Sequence, residues 1–131
     1  MPSPASCEHG GARPGDNGQA TVELALSLPL LCLFLLAIVQ LVVIVRDQLA
    51  VELAAREAAR AASVAASPSD AALAAAERSV ALRPLNVSTA LSGDTVTVTV
   101  GHVTDTDIPL IGALIPDVTV TATVTMALEP P

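Results

Sequence analysis

The sequence has no Trp, no Tyr and no Lys, and Phe34 is its one aromatic residue. Large aromatic side chains normally supply much of the area that a soluble core buries. The apolar residues make up 52% of the chain, but they are mostly Ala, Val and Leu, and one segment holds many of them. With 131 residues the chain has room for one domain at most. We therefore expect a small domain beside a segment with another purpose.

Basic clusters and catalytic groupings are missing as well. Six Arg stand against 13 acids, which gives a net charge of −7 and argues against a nucleic-acid partner. Cys7 and Cys32 have no CxxC or Cys/His spacing of the kind that binds a metal. Neither His9 nor His102 belongs to a recognisable nucleophile arrangement, and no phosphate-binding glycine loop follows a strand. We expect a protein that is not an enzyme and needs no cofactor.

A long uncharged run extends from Leu24 to Val45. Its 22 residues would span roughly 33 Å as a helix, which matches the hydrocarbon core of a bilayer. The run exceeds the apolar region of a secretory signal, so we predict a retained span. Pro29 deletes a backbone bond to the Ala25 carbonyl and should kink this helix. The Gln40 amide would bond either to a partner helix or to its own helix.

The segments on either side of the span differ in composition. Residues 1–18 are rich in Gly and Pro and are predicted to be a disordered leader. RDQLAVELAAREAARAASVAAS, after the span, contains strong helix formers and no Gly or Pro. We predict one helix over 19–66, with the transmembrane span at 24–45. Its small-residue face lets another element approach closely, unless this part is a bare stalk; that face comprises Ala54, Ala58, Ala61, Ala62 and Ala65.

The remaining residues, 67–131, are predicted to form an α+β head. Ser67 is a suitable N-cap with Asp70 in a capping-box-like position, and the second helix should cover Asp70 to about Leu82. Alternating Thr and Val then predict strands. A hairpin is expected over Leu85–Leu91 and Asp94–Val103, and a third strand turns one apolar face inward: Val118, Val120, Ala122, Val124 and Met126. This small antiparallel sheet should place its apolar face on the exposed half of the long helix.

An apolar segment, DIPLIGALIPD at Asp107–Asp117, interrupts the strands. It is too short to span a membrane. It is either a loop tucked onto the sheet or an apolar patch that touches the bilayer surface or a partner subunit.

The junction between leader and span carries the most specific pattern. Gly18-Gln19-Ala20-Thr21-Val22-Glu23-Leu24 precedes the uncharged run directly and resembles the processing site of type IV prepilins and pseudopilins. The string GQATVELALSLPLL is similar to the TadE/TadF group of pilus-assembly proteins, and to TadE more than TadF. RDQLAVELAAREAARAA and ATVTMALE extend the resemblance over most of the chain after Gly15.

The resemblance implies a pilin-like fold and a minor pseudopilin of the tight-adherence (Flp) pilus machinery. A prepilin peptidase would cut between Gly18 and Gln19, which makes Glu23 the fifth mature residue. The implied partners are the cytoplasmic membrane, this peptidase, other pilin or pseudopilin subunits and the rest of the Tad machinery.

Glu23 has three possible roles at this boundary. A carboxylate in a membrane is costly and is normally paired. After cleavage, the Gln19 amine of a neighbouring subunit could pair with it, or the Gln19 amine of its own chain could. The third possibility is an interfacial acid that complements the dipole at the start of the helix.

The distribution of arginines and the family resemblance predict opposite membrane topologies. Arg46, Arg56 and Arg60 follow the span and only Arg13 precedes it, so the positive-inside rule places the C-terminal side in the cytoplasm. We nevertheless expect the head outside the cytoplasm, because prepilin peptidases act at the cytoplasmic face and acids accompany those arginines. The alternative function is an uncleaved single-span envelope protein that binds a ligand or partner through its β head.

Overall fold

The computed structural model describes Met1, residues 16–105 and residues 116–129. Most of the predicted leader, with Cys7 and His9, lies outside the described residues. So does most of the apolar segment Asp107–Asp117. The predictions made for those residues stay predictions.

The described chain has two helices followed by three strands, and this α+β fold confirms the predicted class. In chain order the elements are α1 (Asp16–Ser63), α2 (Pro68–Ser79), β1 (Asn86–Ser92), β2 (Thr95–Thr104) and β3 (Val118–Ala127). The chain divides into two compact units, Met1–Leu35 and Leu36–Pro131.

The first unit contains the beginning of α1. No side chain from Gly18 to Leu35 is buried, and Leu26, for example, is 74% exposed. Apolar side chains cover every face of the helix from Leu24 onward, which is the pattern of a helix surrounded by an apolar medium. The helix begins at Asp16, three residues before the predicted start. One glycine, Gly18, costs only about 1 kcal/mol of helix stability, too little to keep the first turn from forming.

The second unit is built around the other part of α1, whose inward face consists of Ala and Val. Val51, Ala54, Ala55, Ala58, Ala59 and Ala62 are all fully buried. They form one core with Val96, Val98 and Val100 of β2, with Val120 of β3, and with Ala72 and Ala76 of α2. Small side chains let the helix approach both α2 and the sheet. The predicted helix–sheet packing is confirmed, although Ala61 and Ala65 are only half-buried.

The sheet is antiparallel, with β2 between β1 and β3. The hairpin of β1 and β2 turns through Gly93 and Asp94, and Gly93 takes a φ of +56°, which glycine adopts without strain. The face away from the helices carries hydroxyl groups. Thr97 and Thr125 share a 2.9 Å hydrogen bond, and Thr99 and Thr123 share one of 3.0 Å.

The second helix differs from its prediction at both ends. Ser67 occupies the N-cap position, but its side chain makes no capping bond, and Pro68 fills the first turn. The helix ends at Ser79 and not near Leu82, because Val80 is extended. The Arg83 guanidinium then donates to the carbonyls of Glu77, at 2.7 Å, and of Val80, at 3.1 Å. This side chain thus satisfies the Glu77 carbonyl, which a longer helix would have used itself, and the Val80 carbonyl, which Pro84 could not have satisfied.

The close approach of α1 to the sheet should not tolerate a larger side chain at Ala58. We expect Ala58→Leu to lower the stability of the full chain by roughly 1–3 kcal/mol, because a fully packed site must expand. The matched control is Ala61→Leu, one turn further along at a half-buried position. Thermal unfolding in detergent, followed by circular dichroism, measures both. Equal melting temperatures for the two variants would contradict this packing.

Candidate processing and assembly site

Gly18 and Gln19 lie in the first turns of α1 and are both exposed. A Cβ atom added to Gly18 would meet no atom within 4 Å. The backbone at Gly18 is helical, so the fold does not require glycine at this position for space or for a left-handed conformation. A glycine that weakens a helix without serving the fold is consistent with recognition by another molecule.

Glu23 lies one turn beyond Gln19, and the structure brings these two predicted site residues together. The Gln19 side-chain amide donates to Glu23 Oε1 at 3.3 Å, and both residues are exposed. The contact uses the side chain of Gln19, because its backbone nitrogen is part of a peptide bond in the uncleaved chain. Pairing of Glu23 with an amine, in its own chain or another, stays a prediction.

Pro29 lies inside α1, which runs through it without interruption. The Ala25 carbonyl lacks the backbone donor that any other residue would supply. Near it, the Ser27 hydroxyl donates to the Leu24 carbonyl at 3.0 Å. The predicted kink at Pro29 stays a prediction.

The polar residues immediately after the uncharged run have a role that the sequence did not reveal. Asp47 is only 7% exposed and accepts a 2.9 Å hydrogen bond from the Thr104 hydroxyl at the end of β2. The Gln48 amide donates to the Thr121 carbonyl of β3 at 3.2 Å. These two bonds connect α1 to the central strand and to an outer strand. The only signal in the sequence was a polar triplet after a span, which also suits a membrane interface.

The packing of the head begins within the predicted span, near Gln40 and Ile44. Ile44 contacts the head core, so its side chain is already partly buried by protein. The Gln40 amide nitrogen is enclosed and has no hydrogen-bond partner among the described residues. Its own helix supplies no acceptor for this nitrogen, and the bond to a partner helix stays a prediction.

His102 is a structural residue of the second unit. It is 7% exposed, and its Nδ1 lies 2.8 Å from the Pro84 carbonyl oxygen. This contact holds the segment between α2 and β1 against the central strand. Within residues 16–105 and 116–129, no group of three or more His, Cys, Asp or Glu side chains could hold a metal ion.

Comparison with known proteins agrees with the resemblance seen at the junction. Residues 18–60 match the family model described as TadE-like protein. This segment of the chain is TadE-like. The match covers about a third of the chain, and it begins at Gly18 and ends within the buried Ala face of α1. No curated protein and no solved structure matches the chain.

The segment that matches the TadE-like family model also contains the candidate membrane span. Among the described residues, one helix, α1, is long and apolar enough to cross a membrane, and its most apolar stretch of 18 residues is not buried by protein. This arrangement fits a single-pass membrane protein.

The Asp47–Thr104 bond can be tested with a double-mutant cycle. Thr104→Val removes the donor and leaves a buried carboxylate, so we expect a loss of roughly 1–3 kcal/mol. Asp47→Ala should also destabilise, and the double variant should cost less than the sum of the two. Thr97→Val, which breaks an exposed hydroxyl pair, is the control and should change stability by less than about 0.5 kcal/mol. Strictly additive effects in thermal unfolding would mean that the bond contributes nothing.

Proposed function

We propose that this protein is a membrane-anchored minor pseudopilin or assembly factor of a Tad (Flp) pilus, cut by a prepilin peptidase between Gly18 and Gln19. The observation that carries the proposal is the TadE-like match, which starts at Gly18 directly before an apolar helix with no buried side chain between Gly18 and Leu35. The protein acts by assembly and not by catalysis.

Accessibility of the cut site supports the processing step. Gly18 and Gln19 are exposed, and they belong to the first turns of the helix, where backbone amides lack intrahelical partners and the ends fray. A peptidase can therefore reach an extended form of these residues at small energetic cost. Gly18 lowers that cost further, because glycine is about 1 kcal/mol less favourable than alanine in a helix.

Cleavage would change the electrostatics around Glu23. The cut creates an amine on Gln19 at the new start of the helix, where the helix dipole disfavours a positive charge. Glu23 lies one turn further on and can compensate for that amine, in its own chain or in a neighbouring subunit. In the uncleaved chain the Gln19 side-chain amide donates to Glu23 at 3.3 Å. This neutral donor forms a weaker bond than a charged amine, which can replace it.

The apolar part of α1 would lie in the cytoplasmic membrane, with the head outside the cytoplasm. Leu24, Leu26 and Leu30 are 65%, 74% and 70% exposed in the isolated chain. Leaving such surface in water is unfavourable by about 25 cal/mol for each Å². A bilayer removes that cost, and so do the corresponding helices of other pilin-like subunits during assembly.

Replacement of Gly18 tests the processing step. We expect Gly18→Ala to leave the precursor uncut, seen as a slower band beside the processed wild type on a denaturing gel. Open space around Gly18 means that the added methyl group does not disturb the fold. The control Ala20→Gly makes the reverse change at a nearby exposed position and should be processed normally. Normal processing of Gly18→Ala would contradict the proposed cut.

Replacement of Glu23 separates assembly from processing. Glu23→Gln should be cut like wild type but should reduce the yield of sheared surface pili by about tenfold or more. Loss of a charge-assisted bond costs about 1.5–3 kcal/mol, and 1.4 kcal/mol is tenfold in an equilibrium constant. Glu57→Gln, at an exposed position of the head, is the matched control. An undiminished pilus yield in Glu23→Gln would show that the acid has no part in assembly.

A further inference from the structure

In the described part of the chain, the sheet ends in two edge strands, β1 and β3. The bond from the Gln48 amide to the Thr121 carbonyl shows that this carbonyl points away from β2. Backbone groups alternate along a strand, so those of Thr119, Thr123 and Thr125 point outward as well. Within the described residues, these three have no backbone partner on that side. Among residues 16–105 and 116–129, no strand pairs with this edge of β3.

Neither edge carries the features that normally prevent pairing with another chain. The sequences NVSTALS of β1 and VTVTATVTMA of β3 contain no charged residue and no proline. Both ladders run in unbroken register, without a bulge. Natural sheets usually protect an edge with charges, prolines or bulges. The strands of both edges are uncharged in a chain of net charge −7, and the Glu52–Arg56 pair that lies beside Thr121 and Thr123 is neutral as a whole, with its charges 3.3 Å apart.

The strand registers show how one edge fits the other. Both β1 and β3 are antiparallel to β2, so they are parallel to each other. Ser88 lies opposite Thr99, which lies opposite Thr123, so Ser88 and Thr123 are level and share the outer face. A second copy in the same orientation can place its Ser88 beside Thr123. Its apolar Val87 then lies level with Ala122 on the inner face.

We propose that β3 pairs in parallel with β1 of a second copy of this chain, so that the sheet continues from one protein to the next. The proposal rests on the proposed membrane role, which gives all copies one direction. Antiparallel pairing of two β3 strands would need a two-fold axis perpendicular to the sheet. That axis would reverse α1, and the apolar residues 36–43 of the two copies could not enter one membrane from the same side.

The incoming strand would displace the Gln48 amide from the Thr121 carbonyl. The displaced amide keeps its second acceptor, Glu52 Oε1, at 3.5 Å. The exchange therefore leaves no buried polar group without a partner. Until a second copy arrives, Gln48 covers one carbonyl of the open edge.

Disulfide trapping in membranes tests the pairing. In full-length protein with Cys7→Ser and Cys32→Ser, one tagged copy carries Ser88→Cys and a differently tagged copy carries Thr123→Cys. Neighbouring strands lie about 4.8 Å apart, within reach of a disulfide. Within one chain, the two positions are two strand spacings apart, about 9.5 Å, which is too far. The two copies are co-expressed, and the membranes are oxidised with copper phenanthroline. A control pair, Ser69→Cys with Thr123→Cys, measures disulfides that form by random collision, because both positions are exposed.

We expect the Ser88→Cys and Thr123→Cys pair to form at least about ten times more heterodimer than the control pair. Heterodimer through Thr121→Cys or Thr125→Cys instead would indicate the same pairing displaced by two residues. Homodimers of Thr123→Cys alone would show antiparallel β3 contacts and overturn the proposal, as would heterodimer at the control level for all three positions. Cleavage of the precursor is measured in the same samples from the position of its band. A protein that is cleaved but forms no heterodimer therefore contradicts the strand pairing and not the processing step.

Discussion

The packing of the Ala and Val face of α1 against the valines of β2 is the contact on which the rest of the head depends. Val51, Ala54 and Ala58 are fully buried there, and α2 closes the same core through Ala72 and Ala76. Without large aromatic side chains, such a core must gain its stability from close approach over many small contacts. The bonds of Asp47 to Thr104 and of Gln48 to Thr121 both depend on the helix lying on this face of the sheet.

One part of this helix is exposed on every face and another part contacts protein, and the sequence differs between the two parts. From Leu24 to Leu35 no face is buried, as expected of residues that lipid or other helices will surround. From Ile44 onward one face contacts protein. Asp47 and Gln48 follow, and each bonds to a different strand. Polar residues at this point therefore fix the sheet to the helix, in addition to suiting a membrane interface.

Periodic features were predictable from the sequence, and single polar contacts were not. Alternating Thr and Val placed β2 and β3, because only one face of the sheet is buried, and the turn before Thr95 placed β1, all within one or two residues. The end of α2 was missed because it depends on the Arg83 guanidinium, whose acceptors cannot be inferred from local propensity. The bond between Asp47 and Thr104 joins residues 57 positions apart, so no local pattern could indicate it. At the junction, Gly18, Gln19 and Glu23 were found through a motif, while the helical state of Gly18 was not foreseen.

We propose that the TadE-like segment is a processing site joined to a membrane anchor. N-terminal sequencing of the wild-type protein extracted from membranes tests it most directly, because the cut defines the first residue. We expect a mature chain that begins Gln19-Ala20-Thr21, or a blocked terminus of the corresponding mass if Gln19 has cyclised. A protein that still begins at Met1 would rule out this processing and favour an uncleaved envelope protein.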